Sequence, residues 1–390
     1  MTLVKEKMRV LCLTTYYLPG YKGGGPIKTI KNIAEQLGDD IAFSVVASDR
    51  DLGDSAPYVS VDLGKWVRVG KAFVFYAPSG FKFYRQVAKL IWMKDYDLVY
   101  LNSFFSLRFS LFPLLLAKAF RKRVLLAPRG EFSEGALSMK RLKKILFIRV
   151  SRILGVHAKL VFQASSIFEV EDIRRVLGQE ADIKVAENIG AQEFASDLPI
   201  RSTGPLKAVF VSRISPKKNL LAALEILKKA RQPLDYHLYG PIEDGQYWEQ
   251  CREAISALPA HIKVEHKGTL IPDQVISTLA EYDVFFLPTK GENYGHVIAE
   301  ALCAALPVVI SDATPWRNLQ QLGIGWDLPL SKPDAFSSVL DKLALMPAEQ
   351  YQDMRACVLG WARNKFSQQD TTEANIAMFR YVYEKSKVDQ

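Results

Sequence analysis

The sequence predicts an α/β protein built from two doubly wound, Rossmann-like domains, and three observations support that prediction. The chain of 390 residues suits two domains of about 150–200 residues better than one. Short apolar runs typical of buried parallel strands alternate with helical patterns along the chain. Residues 191–206 carry two prolines and a glycine among small polar residues, a composition typical of a linker. We therefore expect domains at residues 1–195 and 205–368, and a helix at about 370–390 that packs back on the first.

The first predicted domain opens with a strand, a glycine-rich loop and an amphipathic helix, the usual start of a doubly wound sheet. These three elements are predicted at Met8–Thr14, Gly20–Pro26 and Ile27–Leu37. Further strands are predicted at Ile41–Ala47, Phe73–Tyr76, Leu98–Leu101, Val124–Ala127 and Leu160–Gln163.

The second predicted domain repeats the same alternation of strands and helices. Its strands are predicted at Lys207–Val211, Tyr236–Tyr239, Ile262–His266, Val284–Leu287 and Pro307–Ser311. Its helices are predicted at Leu220–Ala230, Tyr247–Ala257, Ile271–Ala280 and Val297–Ala304, and a last helix is predicted at Thr372–Lys385.

The positive charge is concentrated in one part of the chain. The formal net charge is +9, and residues 81–160 hold 17 Lys and Arg against four Asp and Glu. Such a cluster suits an anionic partner, either a membrane surface or a phosphorylated substrate. Nucleic acid is the competing interpretation, and a solvated basic face without a partner is a third.

The cysteines, histidines and chain start exclude several classes of protein. The four cysteines are widely spaced and the five histidines show no metal-ligand spacing, so we expect a reducing compartment and no bound metal. Met1–Lys7 is polar and charged, unlike a signal peptide. The apolar run Leu111–Ala117 is far shorter than the roughly 20 residues of a membrane span. We therefore expect a cytoplasmic protein.

The segment Lys140–Leu154 has the pattern of a basic amphipathic helix. Its apolar stripe consists of Leu142, Ile145, Leu146, Val150, Ile153 and Leu154, and its basic border of Lys140, Arg141, Lys144 and Arg152. A helix of this kind can lie on an anionic membrane, and an apolar stripe can equally face the protein core. The sequence leaves both interpretations open, and they are compatible if only the basic edge faces lipid.

The segment Pro288–Pro307 carries the strongest chemical signal because it follows a predicted strand and opens a predicted helix. Gly291 and Gly295 allow tight backbone paths. The amides of Gly295, His296 and Val297 are expected in the first helical turn. Free N–H groups and the helix dipole make such an end an anion site, suited to a diphosphate.

Two glutamates flank this helix start. Glu292 lies on the preceding loop, and Glu300 is expected a turn and a half into the helix. A carboxylate accepts two hydrogen bonds and therefore suits vicinal hydroxyls such as those of a ribose. The alternative is that Glu300 is a solvated helix residue, although its neighbours in the sequence are apolar.

A second constellation, Ser212–Asn219, follows the first strand of the second domain. Ligands of open α/β sheets bind at such carboxyl ends of strands. Arg213 and Lys218 are the candidates for a diphosphate, the first by its planar fork and the second as a point charge. The alternative, two ordinary surface cations, is disfavoured by the glutamate segment in the same domain.

The second domain resembles the donor domain of the family 4 retaining glycosyltransferases, which have the GT-B fold. The family signature is two glutamates separated by seven residues, with a glycine between them and Pro-Val after. It stands here as Glu292, Gly295, Glu300 and Pro307–Val308. The family's diphosphate-binding Arg and Lys match Arg213 and Lys218, and its turn after the next strand matches Tyr239–Gly240.

The resemblance implies two domains facing each other across a cleft and a role for each matched residue. It implies that Glu292 binds the donor sugar, Glu300 the ribose, and Arg213 and Lys218 the departing diphosphate. It adds Gly295, His296, Val297, Gly240, Gly24 and Gly25 to the donor site. It also implies retention of the anomeric configuration, with the leaving phosphate taking the acceptor proton and with no metal or other cofactor required.

The first domain also resembles these enzymes. Gly23–Gly25 occupies the family's glycine-loop position, and Arg129 lies in a segment that faces the cleft in the family. Arg129 is therefore an acceptor-side candidate, with helix capping or a surface position as its alternative. Where many members have a histidine, this chain has Asn102, a second acceptor-side candidate. For His296, the backbone amide is a better candidate than the side chain.

The predicted function is therefore transfer of a sugar from a nucleoside-diphosphate sugar to a glycan or lipid-diphosphate acceptor, as in bacterial polysaccharide or lipopolysaccharide synthesis. We expect no nucleic-acid partner, and a peripheral membrane contact through Lys140–Leu154. One alternative is a non-transferring enzyme such as an epimerase, which the few histidines disfavour. The other is a non-enzymatic basic-face binder, which leaves the glutamate segment unexplained. A dehydrogenase is weaker because Gly20–Gly25 lacks the G-x-G-x-x-G pattern.

Overall fold

The computed structural model describes residues 7–388 apart from residues 94, 139, 191–192, 199–200, 202–203 and 368. The polar start of the chain and six residues of the predicted linker therefore lie outside the described residues. The chain forms two compact domains. The N-terminal domain runs to Ile189 and includes a C-terminal helix, and the C-terminal domain comprises residues 190–367.

The N-terminal domain contains an eight-stranded sheet. Its strands are β1 Met8–Leu13, β2 Ile41–Ser48, β3 Trp66–Val69, β4 Ala72–Ala77, β5 Leu98–Leu101, β6 Val124–Leu126, β7 Val161–Ala164 and β8 Asp182–Val185. They run in the order β3-β4-β2-β1-β5-β6-β7-β8, and all pairs are parallel except β3–β4. The order reverses between β1 and β5, so the loops after these two strands meet at the position where such folds bind ligands.

Helices cover both faces of this sheet, which is why its central strands are continuous apolar runs. The helices are α1 Gly25–Leu37, α2 Phe81–Trp92, α3 Phe112–Ala119, α4 Glu134–Ser138, α5 Arg141–Ile153 and α6 Ile167–Leu177, with a π-helical turn at Leu107–Leu111 before α3. α1 packs through Ile30 and Ile33 into one core cluster. α2, α3, α5 and α6 pack into the other through Phe83, Leu114, Ile148 and Ile173.

The C-terminal domain contains a six-stranded, fully parallel sheet. Its strands are β9 Leu206–Val211, β10 Leu234–Tyr239, β11 Ile262–His266, β12 Val284–Leu287, β13 Val308–Ser311 and β14 Gly325–Leu328. They run in the order β11-β10-β9-β12-β13-β14, so the reversal falls between β9 and β12. The helices are α7 Leu220–Leu227, α8 Gly245–Ser256, α9 Val275–Ala280, α10 His296–Cys303, α11 Pro333–Ala344 and α12 Ala348–Ser367.

The buried guanidinium of Arg355 on α12 stabilises the ends of two shorter helices. It donates hydrogen bonds to the carbonyl oxygens of Ala280 at 3.0 Å, Ala305 at 3.1 Å and Ala304 at 3.3 Å. These carbonyls lie at the C-terminal ends of α9 and α10, where the last turn has no partners of its own. Arg355 therefore holds α10 in place from the end opposite to its first turn.

The last helix, α13 Gln369–Val388, belongs to the N-terminal domain. The ring of Phe379 contacts those of Phe43 and Tyr100 with centroids 5.7 and 5.3 Å apart. The Tyr381 hydroxyl donates to Asp182 at 3.0 Å. α13 is three residues longer at each end than the predicted helix Thr372–Lys385. No described helix of either domain is long and apolar enough to cross a membrane.

The structure differs from the predicted elements at the sheet edges and near the end of the C-terminal domain. The sequence does not predict β3, β8 and β14, which lie at edges of their sheets and are at most partly buried. It also does not predict the helices α11 and α12. The predicted helix Ile271–Ala280 begins as a 3-10 turn at Pro272–Gln274. The predicted helix Leu220–Ala230 ends at Leu227, and α10 starts one residue earlier than predicted, at His296.

Candidate active site

The two chemical constellations predicted for the C-terminal domain lie side by side. β9 and β12 are neighbours in the sheet, so the loops that follow them meet at its carboxyl edge. The Asn219 side chain donates to the Pro288 carbonyl at 2.9 Å, and the Lys290 amide donates to the Lys217 carbonyl at 2.9 Å. These two bonds fasten one loop to the other, and sequence reasoning had not singled out Asn219.

An ion pair joins the same two loops. The Lys218 ammonium lies 2.5 Å from the Glu292 carboxylate, with the two side chains 13 % and 10 % exposed. At such burial both charges interact more strongly than they would in water. The structure thus brings together two residues, 74 positions apart, that the sequence singled out for separate reasons.

Arg213 lies on the same loop as Lys218 but contacts a different carboxylate. Its Nη1 donates to Glu243 at 2.7 Å, and both side chains are more exposed than the Lys218–Glu292 pair. An exposed pair of this kind contributes about 1 kcal/mol or less. Arg213 can therefore exchange this carboxylate for another anion at little cost. Glu243, on the loop after β10, is a second residue that the sequence did not indicate.

Gly240 allows the loop after β10 to pack against the loop after β9. Its φ of +140° lies in the region that favours glycine, and an added Cβ would lie 2.0 Å from the Ser212 carbonyl oxygen. Its own amide donates to the Gly268 carbonyl at 2.8 Å. The geometry therefore assigns Gly240 to close backbone packing beside Arg213.

The start of α10 forms the predicted helix terminus. Gly295 is its N-cap with a left-handed φ of +80°, and an added Cβ would lie 2.9 Å from Ile298. The Ile298 amide donates to the Gly295 carbonyl at 2.8 Å, so the amides of His296 and Val297 precede the first helical hydrogen bond. These two amides and the helix dipole favour a negatively charged group at this end.

Glu300 lies on α10 among buried apolar residues. It is only 8 % exposed, so the alternative of a solvated helix residue is wrong. Burial raises the pKa of the neighbouring Cys303 thiol to about 12, and the charge of Glu300 adds to that shift. The contact of Glu300 with the ribose of a nucleotide stays a prediction.

In the N-terminal domain, the glycine loop leads directly into α1. Gly24 is the N-cap with φ +71°, and an added Cβ would have no atom within 4 Å, so the conformation alone requires glycine. Gly25 is the first helical residue. The Asp51 carboxylate accepts hydrogen bonds from the amides of Tyr21 at 2.7 Å and Lys22 at 3.0 Å. Asp51 therefore fixes this loop, a role the sequence did not suggest.

The two acceptor-side candidates contact each other at the carboxyl edge of the N-terminal sheet. Arg129 donates to Asn102 Oδ1 from Nη2 at 2.7 Å and from Nε at 3.2 Å, and to Asn188 Oδ1 from Nη1 at 2.9 Å. Nη2 also donates to the Tyr100 hydroxyl. All these partners are uncharged. Arg129 is thus neither a helix cap nor a free surface arginine, and both of those alternatives are wrong.

Glu131 and His157 contact the loop after β5 and stabilise it. Glu131 accepts hydrogen bonds from the Ser103 hydroxyl at 2.7 Å and the Phe105 amide at 3.1 Å, and burial raises its pKa. The His157 ring stacks on Phe104 with centroids 4.1 Å apart. Burial, aided by the charge of Lys118, lowers the pKa of His157 to about 4. Both residues are structural in this geometry.

The basic helix α5 presents its apolar stripe to solvent. Leu142 and Ile153 are each 84 % exposed, while the buried side of the helix consists of Ile148 and Ser151. Most of the stripe therefore does not face the core, and the interpretation of α5 as a core-facing helix is wrong. The helix otherwise matches the prediction, since it runs over Arg141–Ile153 within the predicted segment.

The possible metal ligands remain scattered in the described residues. No group of three or more His, Cys, Asp or Glu is arranged to hold a metal ion in that part of the chain. All four cysteines are free, three of them buried and Cys357 exposed.

Sequence comparison finds a family match within the C-terminal domain. Residues 194–361 match the family model of the glycosyl transferases group 1. The chain is 33 % identical over 105 residues to the sulfoquinovosyl transferase SQD2 of Arabidopsis thaliana, covering 27 % of this chain and 19 % of that protein. It is 28 % identical over 147 residues to the amylovoran biosynthesis glycosyltransferase AmsK of Erwinia amylovora, covering 36 % of each. The chain thus matches well under half the length of either relative.

Structure comparison extends the similarity to the whole fold. The crystal structure of Anabaena HepE in complex with UDP and glucose superposes with a TM-score of 0.69. The match covers 97 % of this chain and 100 % of that one at 16 % identity. At this identity the match shows the fold, which is the GT-B fold with two Rossmann-like domains.

The structural match defines the fold class of this protein. It is a GT-B protein with two parallel-sheet domains, as the sequence predicted. Residues 194–361 of its C-terminal domain match the family model of the glycosyl transferases group 1, and the loops after β9 and β12 lie within the matched residues.

Proposed function

We propose that the chain transfers a sugar from a nucleoside-diphosphate sugar to a glycan or lipid-linked acceptor with retention of the anomeric configuration. The observation that carries this proposal is the arrangement around α10. A buried carboxylate, Glu300, lies behind a helix N-terminus, and the Lys218–Glu292 pair lies on the loops beside it. This arrangement suits an elongated ligand with a diphosphate in the middle, and the group 1 family match supports the same conclusion.

Each C-terminal site residue has a distinct part in this proposal. The amides of His296 and Val297 bind the diphosphate at the start of α10. Lys218 and Arg213 offset the negative charge that develops as the nucleoside diphosphate departs. Glu292 binds hydroxyls of the transferred sugar and Glu300 binds those of the ribose.

The proposed mechanism needs no protein base, metal or other cofactor. The bond between the anomeric carbon and the diphosphate breaks, and the acceptor oxygen attacks from the same face of the sugar. The leaving phosphate oxygen takes the proton of the acceptor hydroxyl. The cations beside the diphosphate supply the charge stabilisation that a divalent metal gives in other enzymes.

The N-terminal domain supplies the acceptor side in this proposal. Gly24 and Gly25 of the same domain belong to the donor site in this proposal, and an added Cβ on Gly24 would have no atom within 4 Å. Arg129 and Asn102 form a polar pair at the neighbouring loop. Because the Arg129 charge is surrounded by uncharged partners, it suits an anionic group of the acceptor, such as a phosphate.

Two comparisons support the proposed biological setting. AmsK is named as an amylovoran biosynthesis glycosyltransferase, and HepE was solved in complex with UDP. We propose a cytoplasmic enzyme of bacterial surface polysaccharide or lipopolysaccharide synthesis that uses a nucleoside-diphosphate sugar. The exposed stripe of α5 supports a peripheral contact between Lys140–Leu154 and an anionic membrane.

The direct test is a turnover assay with a panel of UDP-, GDP- and ADP-sugars and a membrane extract as the acceptor source, with EDTA present. We expect one donor to release its nucleoside diphosphate only when acceptor is added, and NMR of the product to show the anomeric configuration of the donor. Glu292→Gln should abolish release of the nucleoside diphosphate. Glu253→Gln, which changes an exposed residue of α8, should not affect this release.

Two other outcomes would replace the proposal. An epimerised nucleotide sugar formed without acceptor would indicate a non-transferring enzyme. Binding to nucleic acid with no turnover of any nucleotide sugar would indicate the basic-face binder.

A further inference from the structure

We infer that three helices of the N-terminal domain, not α5 alone, form one surface that binds an anionic phospholipid bilayer. This inference rests on the proposed peripheral contact of Lys140–Leu154 and extends it to α2 and α3. We call the surface the three-helix face. Its exposed apolar residues are Trp92, Met93, Leu115, Phe120, Leu142, Leu146, Val150, Ile153 and Leu154.

The three helices lie on one side of the sheet and are joined to each other. α2, α3 and α5 contribute to the same core cluster, so their outer surfaces all face away from the same side of the sheet. The rings of Tyr84 on α2 and Phe112 on α3 contact each other with centroids 4.8 Å apart. Lys118 on α3 donates to the carbonyls of Gly155 and Val156, just after α5, both at 2.9 Å.

The apolar exposure is confined to this side of the sheet among the described helical side chains of the domain. Trp92 is 63 % exposed and Leu115 48 % exposed, in addition to the α5 stripe. α6, on the same side, also exposes Ile167 and Phe168. The opposite side is covered by α1 and α13, where no described side chain is a large exposed hydrophobic. Contiguous exposed apolar surface on one side marks an interaction surface.

The charge of the same helices is complementary to anionic lipid. α2, α3 and α5 carry nine Lys and Arg and no Asp or Glu. Lys82, Arg85, Lys89, Arg141, Lys143, Arg149 and Arg152 are exposed beside the apolar residues. Cations near an anionic leaflet are attracted by about 1 kcal/mol each. Long basic side chains can reach the headgroups while the aliphatic stripe enters the acyl boundary.

The composition favours a bilayer over nucleic acid. Nucleic-acid surfaces combine cations with stacking aromatics and hydrogen-bonding side chains. The exposed stripe of α5 is instead aliphatic, and the one uncharged polar residue of that helix, Ser151, is buried and bonded to the Ile148 carbonyl. Trp92, which is 63 % exposed at the end of α2, is of the residue type that suits the interface between headgroups and acyl chains.

The test is co-sedimentation of the full chain with phosphatidylcholine vesicles that contain about one-third phosphatidylglycerol, compared with pure phosphatidylcholine vesicles. We expect binding to the anionic vesicles at least tenfold tighter than to the neutral ones and weaker in high salt. Trp92→Glu with Phe120→Glu should weaken binding at least tenfold, as should Leu146→Glu with Ile153→Glu. Leu345→Glu, an equally exposed apolar site in the C-terminal domain, should bind like the unmodified chain.

A second set of variants separates charge from apolar contact. Lys82→Gln, Arg85→Gln and Lys89→Gln together leave every apolar residue in place and should still reduce binding to anionic vesicles several-fold. Nucleotide binding measured by calorimetry should be unchanged in all these variants, which also shows that they are folded.

Three results would overturn the inference, each in a distinguishable way. The contact would be restricted to α5 if Trp92→Glu with Phe120→Glu and the triple glutamine variant of α2 both bind vesicles fully. In that case only Leu146→Glu with Ile153→Glu would lose vesicle binding. Absence of vesicle binding with intact nucleotide binding would remove the membrane partner and leave the transferase proposal standing. Retardation of DNA by the unmodified chain, with no vesicle binding, would assign the cations to nucleic acid.

Discussion

The Lys218 ammonium and the Glu292 carboxylate lie 2.5 Å apart and connect the loop after β9 to the loop after β12. The two side chains are only 13 % and 10 % exposed, so each keeps the other from being an unpaired, largely buried charge. A nucleoside diphosphate bound at the start of α10 would add negative charge beside this pair. The pair therefore shapes the site before any ligand arrives.

Removing both partners of the Lys218–Glu292 pair should cost less stability than the sum of the two single losses. Lys218→Met and Glu292→Gln alone should each lower the free energy of unfolding by about 2–4 kcal/mol, because the remaining group is left buried without its partner. The double variant should lose less than the sum. Urea unfolding measures all three. Arg213→Gln with Glu243→Gln, which removes the exposed pair, should cost about 1 kcal/mol or less. Additive losses for Lys218 and Glu292 would contradict the coupling.

Gly240→Ala should disturb the diphosphate loop. The new Cβ would lie 2.0 Å from the Ser212 carbonyl oxygen, at a φ that disfavours alanine, so the loop must move and carry Arg213 with it. We expect a loss of more than about 1 kcal/mol in unfolding free energy, and weaker nucleotide binding in calorimetry. Gly245→Ala, at the start of α8 with no atom within 4 Å of the new Cβ, is the matched control. Equal behaviour of the two variants would exclude this role.

Arg129→Gln should affect the acceptor and spare the donor. Arg129 carries a charge held by Asn102, Asn188 and Tyr100, none of which neutralises it. Loss of a charged hydrogen-bond donor to an anionic acceptor should raise the acceptor KM about tenfold to a hundredfold. The nucleotide Kd should not change. Arg68→Gln, on the edge strand β3, should alter neither constant. A changed nucleotide Kd in Arg129→Gln would move this residue to the donor side.

His157 should make the protein sensitive to acid. Its pKa of about 4, against an ordinary value of 6.5, means that the folded state holds the ring neutral. Between these two values the unfolded chain binds more protons than the native state, so the free energy of unfolding falls as the pH falls. The loss amounts to about 3 kcal/mol once the pH is below both values.

His157→Phe tests this account, since a phenyl ring can stack on Phe104 in the same way. The variant should lose less stability than the unmodified chain between pH 7.5 and pH 4.5 in urea unfolding. The raised pKa of Glu131 has the opposite effect on the free energy of unfolding. Because the folded state favours the protonated carboxyl, Glu131 makes the protein more stable as the pH falls. It is present in both proteins and cancels in the comparison. Parallel pH profiles would show that His157 is solvated.

Most of the regular structure could be predicted from the sequence because buried parallel strands are continuous apolar runs. β5 and β12 are examples, since all of their residues are buried, and in β1 the last four of six residues are buried. β8 could not be found in this way, because its residues Asp182–Val185 are polar or only partly buried at a sheet edge. β8 is a strand because it pairs with β7, and this pairing joins distant parts of the sequence, such as Val161 with Asp182.

The site could be predicted in part. Glycines, glutamates and cations at strand–helix junctions indicated Glu292, Glu300, Arg213 and Lys218, and the structure places them on the segments that follow β9 and β12; their roles stay predictions. The sequence could not indicate which partners they would contact, because that depends on which strands become neighbours. The pairing of Lys218 with Glu292 is such a case.

The environment of the basic helix α5 could not be predicted for a different reason. Its periodicity revealed an apolar stripe but could not reveal whether that stripe faces the sheet. In the fold, Ile148 faces the core instead and Leu142 faces solvent.

The most direct test of the central claim is a calorimetric titration of UDP and GDP, separately, into the protein with EDTA present, beside Glu300→Ala. The account predicts that one nucleotide binds in the micromolar range and that Glu300→Ala loses this binding, while the exposed control Glu253→Ala retains it. Equal binding by Glu300→Ala and the unmodified chain would contradict the placement of the nucleotide on α10. Failure of both nucleotides and of every other nucleoside diphosphate to bind would contradict the donor site itself.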